Sequence, residues 1–165
     1  MATIEMTGLD EYMAKLRTLG EDGKKVCKAA VFEGGDALAD AVRAKIESMS
    51  TIEPTDAVIA WRQDRPVGGI TEKQKGGLLD GLYLRKMGED NGFIYTQIGF
   101  SGYNDVKTAK YPSGQPNALI ARSIESGSSA RPKKPFVRPA ANAVKAEATA
   151  RMEAKFYEMI DKIMN

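Results

Sequence analysis

Apolar residues recur every three or four positions near both ends of the chain, which predicts amphipathic helices there. The N-terminal set is Leu9, Tyr12, Met13, Leu16 and Leu19, and the C-terminal set is Val144, Ala148, Met152, Phe156, Met159, Ile160 and Ile163. Gly20 and Gly23 are expected to end the first helix, and a second helix is expected from about Lys24 to Met49. The last helix is expected to begin at about Pro139 and to pack on a sheet or on the second helix.

The second predicted helix contains two consecutive glycines, Gly34 and Gly35, among many alanines. Glycine costs a helix about 1 kcal/mol relative to alanine, so such a pair requires a compensating reason. Because small side chains let another backbone approach closely, we expect close packing or a kink at this point. A hinge is the alternative interpretation.

Period-two alternation in the middle of the chain predicts a small antiparallel sheet. Two strands are expected at Leu82–Leu84 and Phe93–Phe100, joined by a hairpin turn at residues 89–92, in which Asn-Gly readily supplies positive φ. Alternate residues of the second strand should face opposite sides, one set being Ile94, Thr96 and Ile98. Weak alternation predicts another short strand at residues 2–6.

Two segments carry turn and loop signals instead of long periodic patterns. Residues 50–75 are expected to form a long loop that includes a short strand at Ala57–Trp61. A helix should begin at the end of this loop, where Thr71 and Gln74 have the spacing of a capping box. Residues 101–115 are the second predicted loop.

The densest set of start and stop signals lies just before the last helix. Asn117 is expected to cap a short helix and Gly127 to end it. A basic, proline-rich arm follows at residues 128–138, and its prolines exclude a central strand because they lack the backbone donor. Phe136 is expected to anchor the arm to the body or to a neighbouring chain.

Together these elements predict one α+β domain over residues 1–165: a small antiparallel sheet with a central hairpin, packed against long N-terminal and C-terminal helices. The length and the 42% hydrophobic content fit one compact domain with a real core. No apolar run reaches the roughly 18 residues of a membrane helix, and no signal peptide is recognised. We therefore expect a protein that stays in the cytosol that makes it, or is assembled from there.

The composition argues against an enzyme. The chain has no histidine and one cysteine, which excludes Ser-His-Asp and Cys-His nucleophile systems, histidine-ligated metal sites and an internal disulfide. The nearest carboxylate pair, Asp36 and Asp40, is better explained as a solvent-exposed helix face than as a hydrolytic or metal site. No catalytic residue, metal site or cofactor is therefore predicted.

The net charge of +2 is unevenly distributed. Residues 1–56 hold 7 Lys and Arg against 11 Asp and Glu, whereas residues 101–140 hold 7 against 2. This asymmetry suits a subunit whose acidic face meets a basic face of its neighbour, although solvated charges alone also explain it. It also permits a second function, that of a small basic nucleic-acid-binding protein. The cations for that function lie in residues 107–138: Lys107, Lys110, Arg131, Lys133, Lys134 and Arg138.

Two neighbouring pieces of sequence form a motif. They are Ile124-Glu125-Ser126-Gly127-Ser128 and Pro135-Phe136-Val137-Arg138-Pro139-Ala140. They resemble the signature Glu-x-Gly-Thr followed by Pro-Phe-aliphatic-Arg-Pro-Ala of the tail-completion, or head–tail joining, proteins of long-tailed bacteriophages. Residues 4–11, with Leu16 and Leu19, and residues 77–82 are similar to other parts of that family in the same order. Ser128 replaces the usual threonine, and residues 50–75 lack a clear Pro-x-x-Thr-Gly segment, so loop contacts are not transferred.

The resemblance implies a non-enzymatic α+β subunit that assembles into a homo-oligomeric ring, expected to be a hexamer, at the neck of a phage or prophage virion. There it would join the tail tube or tail terminator to the head-completion proteins. DNA would pass through the lumen without specific contacts, and no membrane would be involved. The protein would be made in the host bacterial cytoplasm and end in the neck or tail of the virion.

The predicted assembly interface comprises the arm and its flanks. Gly127 should end the preceding helix, and Phe136 should anchor the arm. Glu125 is expected to pair with Arg138 across a turn or between subunits. The alternative is that these residues only build the fold of the monomer. The full set is Glu125, Gly127, Arg131, Lys133, Lys134, Pro135, Phe136, Arg138 and Pro139.

Overall fold

The computed structural model describes residues 9–165; the strand predicted at residues 2–6 and the resemblance at residues 4–8 lie outside the described residues. The elements in chain order are α1 (Leu9–Glu47), α2 (Pro54–Arg62), α3 (Glu72–Gly81), β1 (Leu82–Leu84), β2 (Gly88–Asp90), β3 (Phe93–Tyr95), β4 (Ile98–Phe100), α4 (Asn117–Ser126) and α5 (Val137–Met164). The predicted α+β fold is confirmed, since long helices at both ends pack with a small antiparallel hairpin.

The first two predicted helices are one continuous helix, α1, of 39 residues. The prediction that Gly20 and Gly23 end a helix is therefore wrong. Each costs about 1 kcal/mol relative to alanine, which is too little to break a helix that is held by tertiary packing. That packing comes from α5, which forms the most extensive contact of α1 with any other element.

Gly34 and Gly35 lie where α1 is contacted closely from two sides. A Cβ on Gly34 would lie 2.6 Å from Cγ of Met152 in α5. A Cβ on Gly35 would lie 2.7 Å from Cγ2 of Thr96, next to the hairpin strands. The predicted close packing is confirmed, and α1 is the element that joins the helical layer to the hairpin.

The four short strands are successive parts of one irregular hairpin. β1 pairs with β4, β2 pairs with β3, and both pairs are antiparallel. The turn at Asn91 and Gly92 has φ values of 47° and 82°, as the Asn-Gly signal predicted. Between the two pairs, Thr96 Oγ1 donates a 2.7 Å hydrogen bond to the Arg85 carbonyl. The predicted alternation is confirmed over residues 93–98, because Ile94, Thr96 and Ile98 are half-buried and Phe93, Tyr95 and Gln97 are exposed.

The core lies at the C-terminal end of α1, among α3, α4, the hairpin base and the start of α5. Its buried residues are Val42, Ile46, Ile70, Leu78, Leu82, Ile120, Ala121, Ile124, Phe136 and Ala140. The predicted capping box at the start of α3 is confirmed: Thr71 Oγ1 accepts the Gln74 N–H and Gln74 Oε1 accepts the Thr71 N–H. α3 is thus fixed both by its own sequence and by the core.

Residues 50–75 are not one long loop, because they contain α2 and the beginning of α3. The strand predicted at Ala57–Trp61 is wrong, since this stretch is helical. Pro54 occupies the first turn of α2, where its fixed φ and missing N–H suit a helix start. A run of five residues was too short to distinguish a strand from a helix by periodicity.

The start of α4 differs from the prediction. The N-cap position is Pro116 rather than Asn117, and no side chain caps the helix. The side chain of Asn117 is instead buried, and its Nδ2 donates a 2.8 Å hydrogen bond to the Ser101 carbonyl. This contact ties α4 to the irregular segment at residues 101–115, which is a loop as predicted. Gly127 follows the end of α4 with a φ of 78°, so the predicted glycine stop is confirmed.

Within residues 9–165, none of the helices is both long enough and apolar enough to cross a membrane.

Candidate functional site

The arm between α4 and α5 is the candidate site, and local hydrogen bonds give it a defined shape. Ser128 and Arg131 exchange two backbone hydrogen bonds, of 2.8 and 3.2 Å, and so close a tight turn directly after Gly127. The Lys134 N–H then donates to the Ile124 carbonyl at 2.8 Å, which returns the arm to the end of α4. The arm is therefore a compact reversal of the chain and not an extended tail.

Phe136 anchors the end of the arm in the core. Its side chain is 3% exposed, and its ring centroid lies 5.9 Å from that of Phe100 in β4. The prediction that Phe136 anchors the arm is confirmed, with the body of the same chain as its partner. The prolines on either side of the anchored segment, Pro135 and Pro139, remain exposed.

Glu125 caps the last helix. Its carboxylate accepts hydrogen bonds from the backbone N–H groups of Phe136, Val137 and Arg138 at 2.7, 2.9 and 3.1 Å. The expected pairing with Arg138 is corrected by this geometry: the carboxylate takes the backbone N–H of Arg138, and no ion pair joins the two side chains among the described residues. The backbone N–H of Arg138 is fixed in position at the start of the helix, whereas its guanidinium is exposed to water.

The two halves of the motif complete the N-terminus of α5 together. A helix leaves its first four N–H groups without a partner inside the helix. Glu125 accepts three of them, and the fourth position is Pro139, which has no N–H. The next N–H, of Ala140, makes the first helical bond, to the Phe136 carbonyl at 3.2 Å. The spacing of Glu125 and Pro139 in the sequence therefore has a single structural reason.

The electrostatics of Glu125 agree with this role. Partial burial raises the pKa of its carboxyl, but the three backbone donors and the positive charge of Arg138 lower it by more. The net pKa is below the ordinary value, so the group is ionised at neutral pH. A carboxylate at a helix N-terminus is also favoured by the helix dipole.

Arg131 points into the protein. It is half-buried, and burial lowers the pKa of its guanidinium. Its Nη2 donates a long, 3.4 Å hydrogen bond to Gln74 Oε1, and its Nη1 is buried without a partner in the described part of the chain. It lies beside a cavity of about 310 Å³ underneath the arm.

The arm is also joined to the segment that follows α2. Lys134 Nζ donates to the Gly68 carbonyl at 2.7 Å, and the Val67 N–H donates to the Ala130 carbonyl at 2.8 Å. Lys133 and Arg138 remain exposed. Of the nine predicted interface residues, the structure thus turns Glu125, Phe136 and Arg131 inward.

The remaining candidate residues do not form a chemical centre. Lys107 and Lys110 are exposed, and Lys110 Nζ lies 5.6 Å from the ring centroid of Tyr111. Asp36 and Asp40 are exposed on α1, and Asp40 lies 3.8 Å from the Arg151 guanidinium. Residues 9–165 contain no cluster of three or more Asp, Glu, Cys or His side chains that could hold a metal ion.

Exposed apolar side chains are a feature that the sequence reasoning missed. α2 has no buried residue, and its Trp61 is 71% exposed. α1 and α5 also carry exposed apolar side chains, among them Tyr12, Met13, Leu16, Phe32, Phe156 and Tyr157. The predicted apolar stripes included Tyr12, Met13, Leu16 and Phe156 as packing positions, and the structure leaves these side chains exposed. The single tryptophan in a short helix was the available signal for α2.

A second, shallow cavity of about 440 Å³ lies on the other side of the motif. Ile98, Phe100 and Val137 contribute apolar surface to it, and Arg122 and Arg138 contribute positive charge.

Comparison of the chain with protein-family models, with curated proteins and with solved structures gave no match.

Proposed function

We propose that this chain is a non-enzymatic structural protein of a long-tailed bacteriophage, a tail-completion or head–tail joining subunit that assembles into a ring at the virion neck. The observation that carries the proposal is that the two pieces of the motif, residues 124–128 and 135–140, together cap the N-terminus of α5. Glu125 and the segment from Pro135 to Pro139 form one capping unit, so the resemblance rests on residues that act together. A chance likeness of separate fragments would not require such an arrangement.

Exposed apolar surface supports the assembly part of the proposal. Soluble monomers rarely expose large contiguous apolar patches, and such patches commonly mark protein–protein contacts. Here α2 presents Val58, Ile59 and Trp61 to solvent, and the outer part of α1 presents Tyr12 and Met13. These surfaces lie on different elements, and a heterologous ring contact joins two different surfaces of the subunit.

The proposal includes the partners and the place of action that the resemblance implies. The ring would have six subunits, would contact head-completion proteins on one side, and would contact the tail tube or tail terminator on the other. Its lumen would let DNA pass with non-specific contacts at most. The absence of histidine from the chain supports a role without catalysis.

Self-assembly is the decisive measurement. The purified chain should be examined by mass photometry and negative-stain microscopy over a range of concentrations, alone and with the neighbouring neck and tail proteins. A ring of six subunits is expected. Trp61 is the only tryptophan, so its emission should shift to shorter wavelength on assembly if α2 becomes buried. A chain that stays monomeric under every one of these conditions would contradict the proposal.

DNA binding separates this function from a nucleic-acid-binding one. A protein that neutralises several phosphates loses affinity steeply between about 50 and 200 mM salt. We expect weak, sequence-independent binding at low salt, because Arg131 is half-buried beneath the arm and Lys134 donates a hydrogen bond to the Gly68 carbonyl. Tight DNA binding by a monomer, lost steeply with salt and with Lys107→Ala or Lys133→Ala, would favour the alternative.

A further inference from the structure

The cavity under the arm has an unusual lining. It lies between the end of α1, residues 68–70 and the arm, and it has a volume of about 310 Å³. Three cationic side chains line it, those of Lys45, Arg131 and Lys134, and no Asp or Glu of residues 9–165 does so. An excess of three positive charges in one concave space favours an anionic ligand.

Arg131 is the side chain that most lacks a partner. A guanidinium has five N–H donors, yet Nη1 is buried without a hydrogen bond in the described chain. The one bond of Nη2, at 3.4 Å to Gln74 Oε1, is longer than the usual range, and that oxygen also accepts the Thr71 N–H. Leaving a buried charge without a counter-charge is costly, and the lowered pKa of Arg131 has the same physical origin.

The two lysines add charge without being fully used. Lys134 Nζ donates one hydrogen bond, to the Gly68 carbonyl at 2.7 Å, and an ammonium has three donors. Lys45 is exposed in the last turn of α1. Both can therefore turn a donor towards a ligand while the fold stays unchanged.

The walls of the cavity decide the kind of anion. Met49, Ile70, Ile124 and Phe136 line it with apolar surface, and the last three are buried in the core. A nucleic-acid phosphate is flanked by polar sugars and would leave these walls uncovered. A carboxylate at the end of a short hydrocarbon stem would bring charge to the cations and cover the apolar walls at the same time.

We propose that this cavity binds a carboxylate group carried on a short apolar stem, with Arg131 as its main charge partner and Lys45 and Lys134 at its rim. Two sources supply this chemistry: a small carboxylic acid, or an acidic side chain or C-terminus of a neighbouring protein chain. The site is defined by residues of one chain, so it stands whether or not the chain forms a ring.

The primary experiment compares thermal unfolding in butyrate with that in butyramide, its neutral isostere, at matched ionic strength. At a concentration about ten times its Kd, butyrate should raise the Tm by about 3–5 °C, and butyramide should not. Arg131→Met keeps an unbranched stem without the charge and should lose the response. Lys133→Met, which removes an exposed cation outside the cavity, is the matched control and should keep it.

A second variant covers the case in which Arg131→Met does not fold. Lys45 is exposed, so Lys45→Met should fold normally and should weaken butyrate binding about 2–5-fold, the loss expected for one partly solvated charge. Equal shifts in butyrate and butyramide would overturn the proposal. So would an equal shift in phosphate, or a butyrate response that Lys45→Met leaves at the wild-type level.

A third measurement identifies the source of the carboxylate. Without added ligand, the Tm of the wild-type chain should rise with protein concentration if a neighbouring copy fills the cavity, and that of Arg131→Met should not. A Tm that is independent of concentration, together with a butyrate response, supports a small molecule as the source. A concentration dependence that Arg131→Met shares fully would overturn a neighbouring copy as the source of the carboxylate.

Discussion

Two short helices of nearly equal length, α2 with 9 residues and α3 with 10, stand in opposite relation to the rest of the molecule. α3 begins with a complete capping box and buries Leu78 in the core. α2 begins at Pro54, its N-cap residue Glu53 makes no side-chain hydrogen bond, and it has no buried residue. Its largest side chain, Trp61, faces solvent.

The two helices obtain their stability from different sources. Helices shorter than about 12–15 residues are marginal in water when isolated, so both need support from outside. The core of the chain supports α3. In residues 9–165, the segment that contains α2 is held on either side of the helix, at the Thr51–Ile70 bridge and the Val67–Ala130 hydrogen bond among others, while Val58, Ile59 and Trp61 of the helix stay exposed. Its apolar side chains are therefore available to a partner.

The largest expected effect comes from truncating one apolar side chain in each helix. Leu78→Ala should lower the free energy of unfolding by about 2–5 kcal/mol, because it leaves a cavity in the core. Val58→Ala in α2 should change it by less than about 0.5 kcal/mol. Urea denaturation at low protein concentration measures both. A cost for Val58→Ala as large as that for Leu78→Ala would mean that α2 packs within its own chain.

α5 has a third kind of start, in which the cap comes from another helix. Glu125→Gln should lower the free energy of unfolding at neutral pH by about 1–3 kcal/mol, since charge-assisted hydrogen bonds to three N–H groups are weakened. Glu153→Gln, at an exposed position of the same helix, is the matched control and should be nearly neutral. Equal effects of the two variants would rule out the capping role.

The pH dependence of the same pair follows from the lowered pKa of Glu125. The unfolded chain protonates at the ordinary, higher pKa, so the ionised carboxylate stabilises the fold fully above that value. Its contribution is lost as the pH falls through the lowered pKa of the folded state. The difference in unfolding free energy between the wild-type chain and Glu125→Gln should therefore shrink on acidification below the ordinary carboxyl range. A difference that is constant down to acid pH would contradict this assignment.

The smallest expected effect concerns the caps of the two short helices. Thr71→Ala removes the capping box of α3 and should cost about 1 kcal/mol. Glu53→Ala at the N-cap of α2 should cost no more than a few tenths of a kcal/mol, because no side-chain hydrogen bond is lost there. Parallel urea titrations of both variants show whether the contrast extends from packing to capping.

Elements with a signal inside a few residues could be predicted from the sequence. The turn at Asn91-Gly92, the capping box of Thr71 and Gln74, and the stop at Gly127 each follow from the conformational preference of one or two residues. α2 was missed because its apolar run contains no such decisive residue. Its apolar run fits either a strand or a helix, and Pro54 was the residue that could have decided the choice.

Features that depend on distant contacts could not be predicted. α1 continues through Gly20 and Gly23 because α5 packs along it. The sequence around these glycines contains no signal for this packing. In the site, the end of the helix at Gly127 and the anchor at Phe136 follow from local chemistry. The cap by Glu125 needs the arm to turn back on α4, and the bond from Lys134 to Gly68 joins residues that are 66 apart in sequence.

Gly34 and Gly35 restrict the substitutions that this chain can accept during evolution. Each glycine holds open the space for a specific neighbour, Met152 on one side of α1 and Thr96 on the other. A larger residue at position 34 requires Met152 to move or to be replaced by a smaller residue, and a larger residue at position 35 makes the same demand on Thr96. Because the two glycines are adjacent, the same turn of α1 limits the side-chain size at its contact with α5 and at its contact with the hairpin. Related chains should therefore vary at these four positions in matched pairs.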